Sequence, residues 1–215
     1  MGRRFLDERR RDPYYRGAQR AGLRSRAAYK LAYLIERFGV IRPGSRVLDL
    51  GAAPGGWSIV ARAAGGAKGS VVAVDVRPID PIPGVRTVRA RVGDPALGAR
   101  LGARSFDVVL SDMSPRISGA YATDHARSVA LARDAWGLAR TVLRANGTFV
   151  AKVFDGEMVE GLLVELERAF DRVHRTKPPA SRERSSEVYV VAQGFRGGGP
   201  AHGRAGVPGG RGSDI

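Results

Sequence analysis

The stretch V-L-D-L-G-A-A-P-G-G-W, Val47 to Trp57, decides the fold. Val47, Leu48 and Leu50 read as a short buried strand, and Gly51, Gly55 and Gly56 supply the backbone freedom that a tight strand-to-helix turn needs. Outward from this turn, apolar runs predict strands over 46–50, 70–75, 85–89, 106–111, 147–153, 171–176 and 187–193. Helices are expected over 26–38, with Ser25 as cap and Gly39 as stop, and over 56–64, 95–102, 121–144 and 156–169. Strands that alternate with helices imply a mostly parallel sheet covered on both faces. The last two strands are joined by Pro178, Pro179, Ser181 and Ser185 without a helix, so they should pair antiparallel. The expectation is an α/β, Rossmann-like sheet of seven strands with one antiparallel strand.

That sheet arrangement is associated with S-adenosylmethionine-dependent methyltransferases, and the turn favours the same ligand. A dinucleotide turn wants G-x-G-x-x-G, whose middle glycine lets a pyrophosphate approach the helix. Here Ala53 takes that place and Pro54 follows, so a diphosphate would meet a Cβ and a ring, which disfavours NAD and an oxidoreductase. S-adenosylmethionine carries an adenosine and an amino acid but no phosphate. Asp75 ends the next strand, where a carboxylate can accept hydrogen bonds from both ribose hydroxyls. Read blandly, the same features are a glycine-rich loop and a surface charge.

The chain of 215 residues suits one domain, and its formal net charge of +15 points to a polyanion as partner. Residues 1–30 carry ten Lys or Arg against three acids, the densest positive region. Tyr14, Tyr15, Arg16, Arg20, Arg24 and Arg26 there mix aromatic and cationic side chains in the manner of single-strand RNA binders. We expect a basic arm at 1–23, a methyltransferase domain at 24–195 and a disordered Gly/Pro/Arg tail at 196–215. No apolar run approaches a membrane span and no signal peptide is evident. The absence of cysteine excludes disulfides and a thiol nucleophile. A cytoplasmic monomer is expected.

Ligands of open α/β sheets sit beyond the carboxyl ends of the strands, so polar residues there carry most weight. Asp112 follows Phe106 to Leu110, Lys152 lies inside F-V-A-K-V-F, Glu187 begins the last strand, and Lys30 sits on the first helix. A structural Lys152–Asp112 ion pair is the plain alternative to chemistry. His125, His174 and His202 lack metal-ligand spacing and read as surface or helix histidines, so no metal is expected. Ser111 and Ser114 lack a hydrolase elbow, and Trp136 reads as core. Trp57 could be core or could pack on the cofactor.

Six segments give this pattern a family resemblance: S-R-A-A-Y-K-L (25–31), D-L-G-A-A-P-G-G-W (49–57), D-V-R-P-I-D-P (75–81), S-D-M-S-P-R-I-S-G (111–119), F-V-A-K-V-F (149–154) and S-R-E-R-S-S-E-V-Y (181–189). The chain resembles the FtsJ/RrmJ (RlmE) family of large-subunit ribosomal RNA 2′-O-ribose methyltransferases over about residues 10–195. The resemblance implies a Lys-Asp-Lys-Glu tetrad at Lys30, Asp112, Lys152 and Glu187. It implies cofactor contacts at Gly55, Trp57, Asp75 and Asp112, and Gly51 of the same turn is expected to bind the cofactor with them. One position departs, because Arg91 stands where the family has a carboxylate for the adenine amino group, and arginine cannot accept that bond. Asp94, three residues on, is expected to take over, or else the backbone reads adenine. Arg116 is a second change and could add a phosphate contact.

In the implied reaction a ribose 2′-hydroxyl attacks a sulfonium methyl group and loses its proton. Lysine is a poor base at its reference pKa of about 10.4, which burial and a neighbouring cation both lower. Lys152 would be the base with Lys30 as that neighbour, Asp112 would orient it, and Glu187 with Lys30 would hold the ribose. By resemblance the substrate is a uridine 2′-hydroxyl in large-subunit ribosomal RNA, free or in the subunit. A transfer RNA anticodon-loop 2′-O-methyltransferase and an RNA-binding ribosome-assembly factor are the alternatives.

Overall fold

The computed structural model describes Ser25 and residues 27–180 and 186–197. The expected arm at 1–23, Arg24, Arg26, and the tail beyond residue 197 lie outside the described residues. The chain runs α1 (Ala27–Phe38), β1 (Arg46–Leu50), α2 (Gly56–Gly65), β2 (Ser70–Asp75), β3 (Val85–Arg89), α3 (Pro95–Leu101), β4 (Phe106–Ser111), α4 (Tyr121–Val142), β5 (Leu143–Phe154), α5 (Met158–Glu167), β6 (Phe170–Thr176) and β7 (Glu187–Phe195). The strands form one sheet in the order β3-β2-β1-β4-β5-β7-β6. All neighbours are parallel except β7, which runs against both β5 and β6. This is the sheet that the alternating pattern predicts.

Side chains alternate across a strand, so each parallel strand feeds two cores. Val47, Val71, Val108, Leu110, Val150, Tyr189 and Val191 face Leu31 and Leu34 of α1 and Trp57 and Ala61 of α2. Leu48, Leu50, Val72, Val74, Val109 and Phe149 face α3, α4 and α5. Trp136 joins this second core, packed against Phe149, Phe170 and Phe195. Among the described residues no helix is long and apolar enough to cross a membrane.

The largest difference from expectation lies between α4 and β5. The helix stops at Val142 and the strand begins at once with Leu143, where a helix to 144 and a strand from 147 were expected. The pairing with β4 instead shifts register between Phe106 and Val108, and Asn146 takes a φ of 61° to make the bulge.

The strand order reverses between β1 and β4. In open sheets the ligand crevice lies at the carboxyl ends of the strands at such a switch point. Gly51 and Asp112, the residues that leave those two strands, therefore flank it.

Candidate active site

The β5–β7 register sets Lys152 opposite Tyr189 and Phe154 opposite Glu187. The period of two then points Lys152, Glu187 and Tyr189 toward the face under α1. Lys30 comes down to meet them from the buried side of α1, beside Leu31 and Leu34. Asp112 arrives from the end of β4, its N–H donating to Leu50 O at 3.3 Å. Four segments far apart in sequence thus meet because sheet register and one helix face bring them together.

Lys152 is 6% exposed. Its Nζ donates to Asp112 O at 2.9 Å and lies 3.1 Å from Asp112 Oδ1. Glu187 Oε1 is 4.0 Å from the same nitrogen, while Glu187 Oε2 accepts from Lys30 Nζ. Glu187 therefore stands between the two lysines. The expectation that Lys30 presses its charge against Lys152 is corrected: Lys30 is matched by this carboxylate.

Tyr189 is a member of the cluster that sequence reasoning missed. Its hydroxyl donates to Asp112 Oδ1 at 2.8 Å, and its ring lies 5.6 Å from Lys30 Nζ. Burial, reinforced by the carboxylates of Asp112 and Glu187, holds the phenol well above its usual pKa, so it remains a donor. The available signal was parity: Tyr189 shares the face of Glu187, two residues before it.

A cleft of about 680 Å³ opens beside this cluster, lined among others by Gly51, Asp75, Arg91, Asp112, Met113 and Arg116. Its size falls in the range of small-molecule sites. Gly51 has a φ of 73°, and a Cβ there would approach Met113 Cγ to 2.5 Å. Only glycine leaves both the turn and the cleft floor intact. Asp75, 6% exposed, accepts Ala53 N–H at 2.9 Å and Arg77 N–H at 2.8 Å, which ties the glycine turn to the end of β2.

Beneath the turn lies Asp49, wholly buried on β1. Ser58 Oγ donates to Oδ2 at 2.6 Å, whereas Oδ1 has no partner among the described residues. Burial pushes its pKa up to about 7, with the Asp112 and Asp75 charges adding to the rise and the Ser58 bond opposing it. An acid between Leu48 and Leu50 was the visible signal of a buried carboxyl.

Three expected cofactor residues do not line the cleft. Gly55 caps α2 with a φ of 107° and shapes the turn from behind. Trp57, 3% exposed, donates its indole N–H to Ala27 O at 2.7 Å and stacks toward Tyr189, so it fastens α1 to the sheet. Asp94 caps α3, accepting Ala96 N–H at 2.9 Å, and faces a neighbouring depression beside Pro95 and Gly98. Arg91, Val92 and Gly93 line the cleft where the carboxylate was sought.

The loop after Asp112 is fastened by Asp124, a second residue that sequence reasoning missed. Its carboxylate accepts Ser118 N–H at 2.8 Å, Ser118 Oγ–H at 2.8 Å and Gly119 N–H at 3.0 Å. These bonds hold its carboxyl below the usual carboxylate range. Beside it His125, expected as a surface or helix residue, is 5% exposed on α4. Its Nδ1 bonds Phe154 O at 2.9 Å and its Nε2 accepts Met158 N–H at 3.2 Å.

Comparison with known proteins gives the family and the fold. The model of the family described as FtsJ-like methyltransferase matches residues 23–195. The "Ribosomal RNA large subunit methyltransferase E" of Natronomonas pharaonis is 48% identical over 86% of this chain and 74% of its own length. The protein of that name from Marinobacter nauticus is 46% identical over 90% of this chain and 95% of its own. Among solved structures, a Plasmodium falciparum protein described as a ribosomal RNA methyltransferase superposes with a TM-score of 0.72 at 28% identity, covering 81% of this chain and 99% of that one. The fibrillarin/Nop5p complex shares the fold with a TM-score of 0.57 at 19% identity, over 80% of this chain and 85% of that one.

Proposed function

Because the chain belongs to the FtsJ-like methyltransferase family, we propose that it transfers a methyl group from S-adenosylmethionine to the 2′-hydroxyl of a uridine in large-subunit ribosomal RNA. The single observation that carries the reading is the buried Lys152, held by the carbonyl and paired with the carboxylate of Asp112, which itself lines the cleft. The relatives' shared name supplies the substrate class.

The residues present fit the donor. Gly51 keeps open a floor that any side chain would close, and Asp75 offers a carboxylate at the second strand end for ribose hydroxyls. Asp112 stands between the cleft and Lys152. Backbone groups of Val92 and Gly93 read the adenine edge, and Trp57 acts at a distance by fixing α1. When bound, S-adenosylmethionine supplies an electrophilic methyl group.

The proton is the chain's own concern. Lys152 Nζ donates to Asp112 O and lies 3.1 Å from Asp112 Oδ1, which holds the amine in place, and in its neutral form it keeps one lone pair. The lone pair is then left for the 2′-hydroxyl, and Lys152 takes its proton as the hydroxyl attacks. Asp112 stabilises the ammonium that forms. Glu187, clamped by Lys30, is placed to accept a ribose hydroxyl and to keep the cluster's charge balanced. Holding the reacting atoms in line supplies the remaining acceleration.

The partner is ribosomal RNA or the large subunit, and the enzyme works as a cytoplasmic monomer. Incubation with methyl-labelled S-adenosylmethionine and, separately, ribosomal subunits, naked ribosomal RNA and transfer RNA tests the reading. Label on a uridine ribose of large-subunit RNA is expected; label in transfer RNA alone would overturn the substrate.

A further inference from the structure

Tyr121 is the sole exposed aromatic residue among those described, 62% open to solvent, yet its ring is fixed. As first residue of α4 its backbone is helical, and its hydroxyl donates to Asp155 O just beyond β5. One face of the ring rests against His125, whose imidazole lies parallel within 5° at a centroid distance of 6.0 Å. That imidazole is itself held at both nitrogens by Phe154 O and Met158 N–H. The remaining surface of the ring is open to solvent.

Position gives this face a use. Asp155 follows Lys152 by three residues, and a strand rises about 3.3 Å per residue, so the Tyr121 hydroxyl is tied to the chain about 10 Å along from the Lys152 backbone. The loop that leads from Asp112 to Tyr121 is pinned by Asp124 and presents Arg116 at the cleft. A rigid aromatic ring at one end of a pinned loop that carries a cationic side chain gives unpaired nucleotides a surface to stack on, because every base has a π-face and no ordering cost remains. A mobile exposed tyrosine would not carry this argument; one with its hydroxyl and back face both engaged does.

We propose that Tyr121 is a stacking platform for the base of the unpaired nucleotide next to the methylated one, with Arg116 on the adjoining phosphate. The inference rests on RNA being the substrate and adds how the strand is laid across the site. It also supplies a reason for the exposed tyrosine, which neither core packing nor the tetrad requires.

The test is fluorescence anisotropy of the full chain with a short single-stranded, uridine-centred RNA, run beside the labelled methyl-transfer assay. Tyr121→Ala and Tyr121→Leu should each weaken RNA binding about tenfold, while Tyr121→Trp keeps it near wild type. Donor affinity measured calorimetrically without RNA should not move in any of them. An RNA with abasic sites flanking the uridine should bind wild type and Tyr121→Ala alike. Wild-type affinity in Tyr121→Leu would overturn the platform, because leucine keeps apolar bulk without a π-face. Equal loss in Tyr121→Trp would also overturn it, and would mark Tyr121 as a structural tie. If binding depends on Tyr121 but no RNA is labelled, the methyl-transfer reading fails and the platform stands. If RNA is labelled and binding ignores Tyr121, the platform alone fails.

Discussion

Lys152 and Tyr189 are direct cross-strand partners in the β5–β7 pair, and both reach Asp112 Oδ1 from the same face of the sheet. Strand register therefore holds Lys152, the proposed base, beside Tyr189, with the phenol donating to the carboxylate that Lys152 pairs with. Tyr189→Phe keeps the ring against Trp57 and removes only that donor. Loss of one hydrogen bond to a charged group, about 1.5 kcal/mol, should lower kcat about tenfold and leave the donor KM unchanged. Steady-state kinetics with both substrates varied checks this; an unaltered kcat would remove Tyr189 from the orienting role.

Asp94 and the cleft can be separated by a single substitution. Asp94→Ala removes the cap of α3 and should cost about 1 kcal/mol of stability in urea unfolding. Calorimetry should give an unchanged dissociation constant for S-adenosylmethionine. Tenfold weaker donor binding with intact stability would restore Asp94 as the adenine contact.

Asp49 should make stability depend on pH in an unusual direction. Its folded pKa of about 7 exceeds the unfolded value of about 3.9, so the protonated carboxyl stabilises the fold. This contribution is complete below about pH 4 and is lost as pH rises through about 7. Asp49→Asn keeps the shape without the charge. The stability of the variant relative to wild type should rise by about 1 kcal/mol per pH unit between pH 5 and 7. Urea unfolding at several pH values measures the difference, and parallel curves for the two proteins would show that Asp49 does not titrate there.

Asp124 governs the loop that presents Ser118 and Gly119. Its carboxyl lies below the usual range, so its stabilising bonds are present above the unfolded pKa of about 3.9 and fade as pH falls through the folded value. Asp124→Ala should expose the Ser118 and Gly119 amides to fast hydrogen exchange at neutral pH. Protection equal to wild type would mean that another contact holds the loop.

The sheet was legible because it left a strong local mark, whereas the grouping of Lys30, Asp112, Lys152 and Glu187 was named from the family resemblance. Apolar runs broken by Gly51, Gly55 and Gly56 announced the parallel sheet, and Lys152 stood out as a charge inside a buried strand. Tyr189 left no such mark, since a tyrosine in a strand is ordinary, and only its register opposite Lys152 reveals the bond to Asp112. Trp57 was left open between core and cofactor by its place after the double glycine, and the first turn of α2 carries position 57 inward, toward Ala27 and Tyr189. Asp94 was close to the cleft in sequence, yet its spacing to Ala96 is that of a helix cap.

Lys152→Ala in the labelled assay with large-subunit RNA, paired with calorimetric donor binding, tests the central claim most directly. Removal of the base should slow methyl transfer about a hundredfold or more, while the S-adenosylmethionine dissociation constant stays within about twofold of wild type. Transfer at near wild-type rate would contradict the account and reduce the Lys152–Asp112 contact to a structural ion pair.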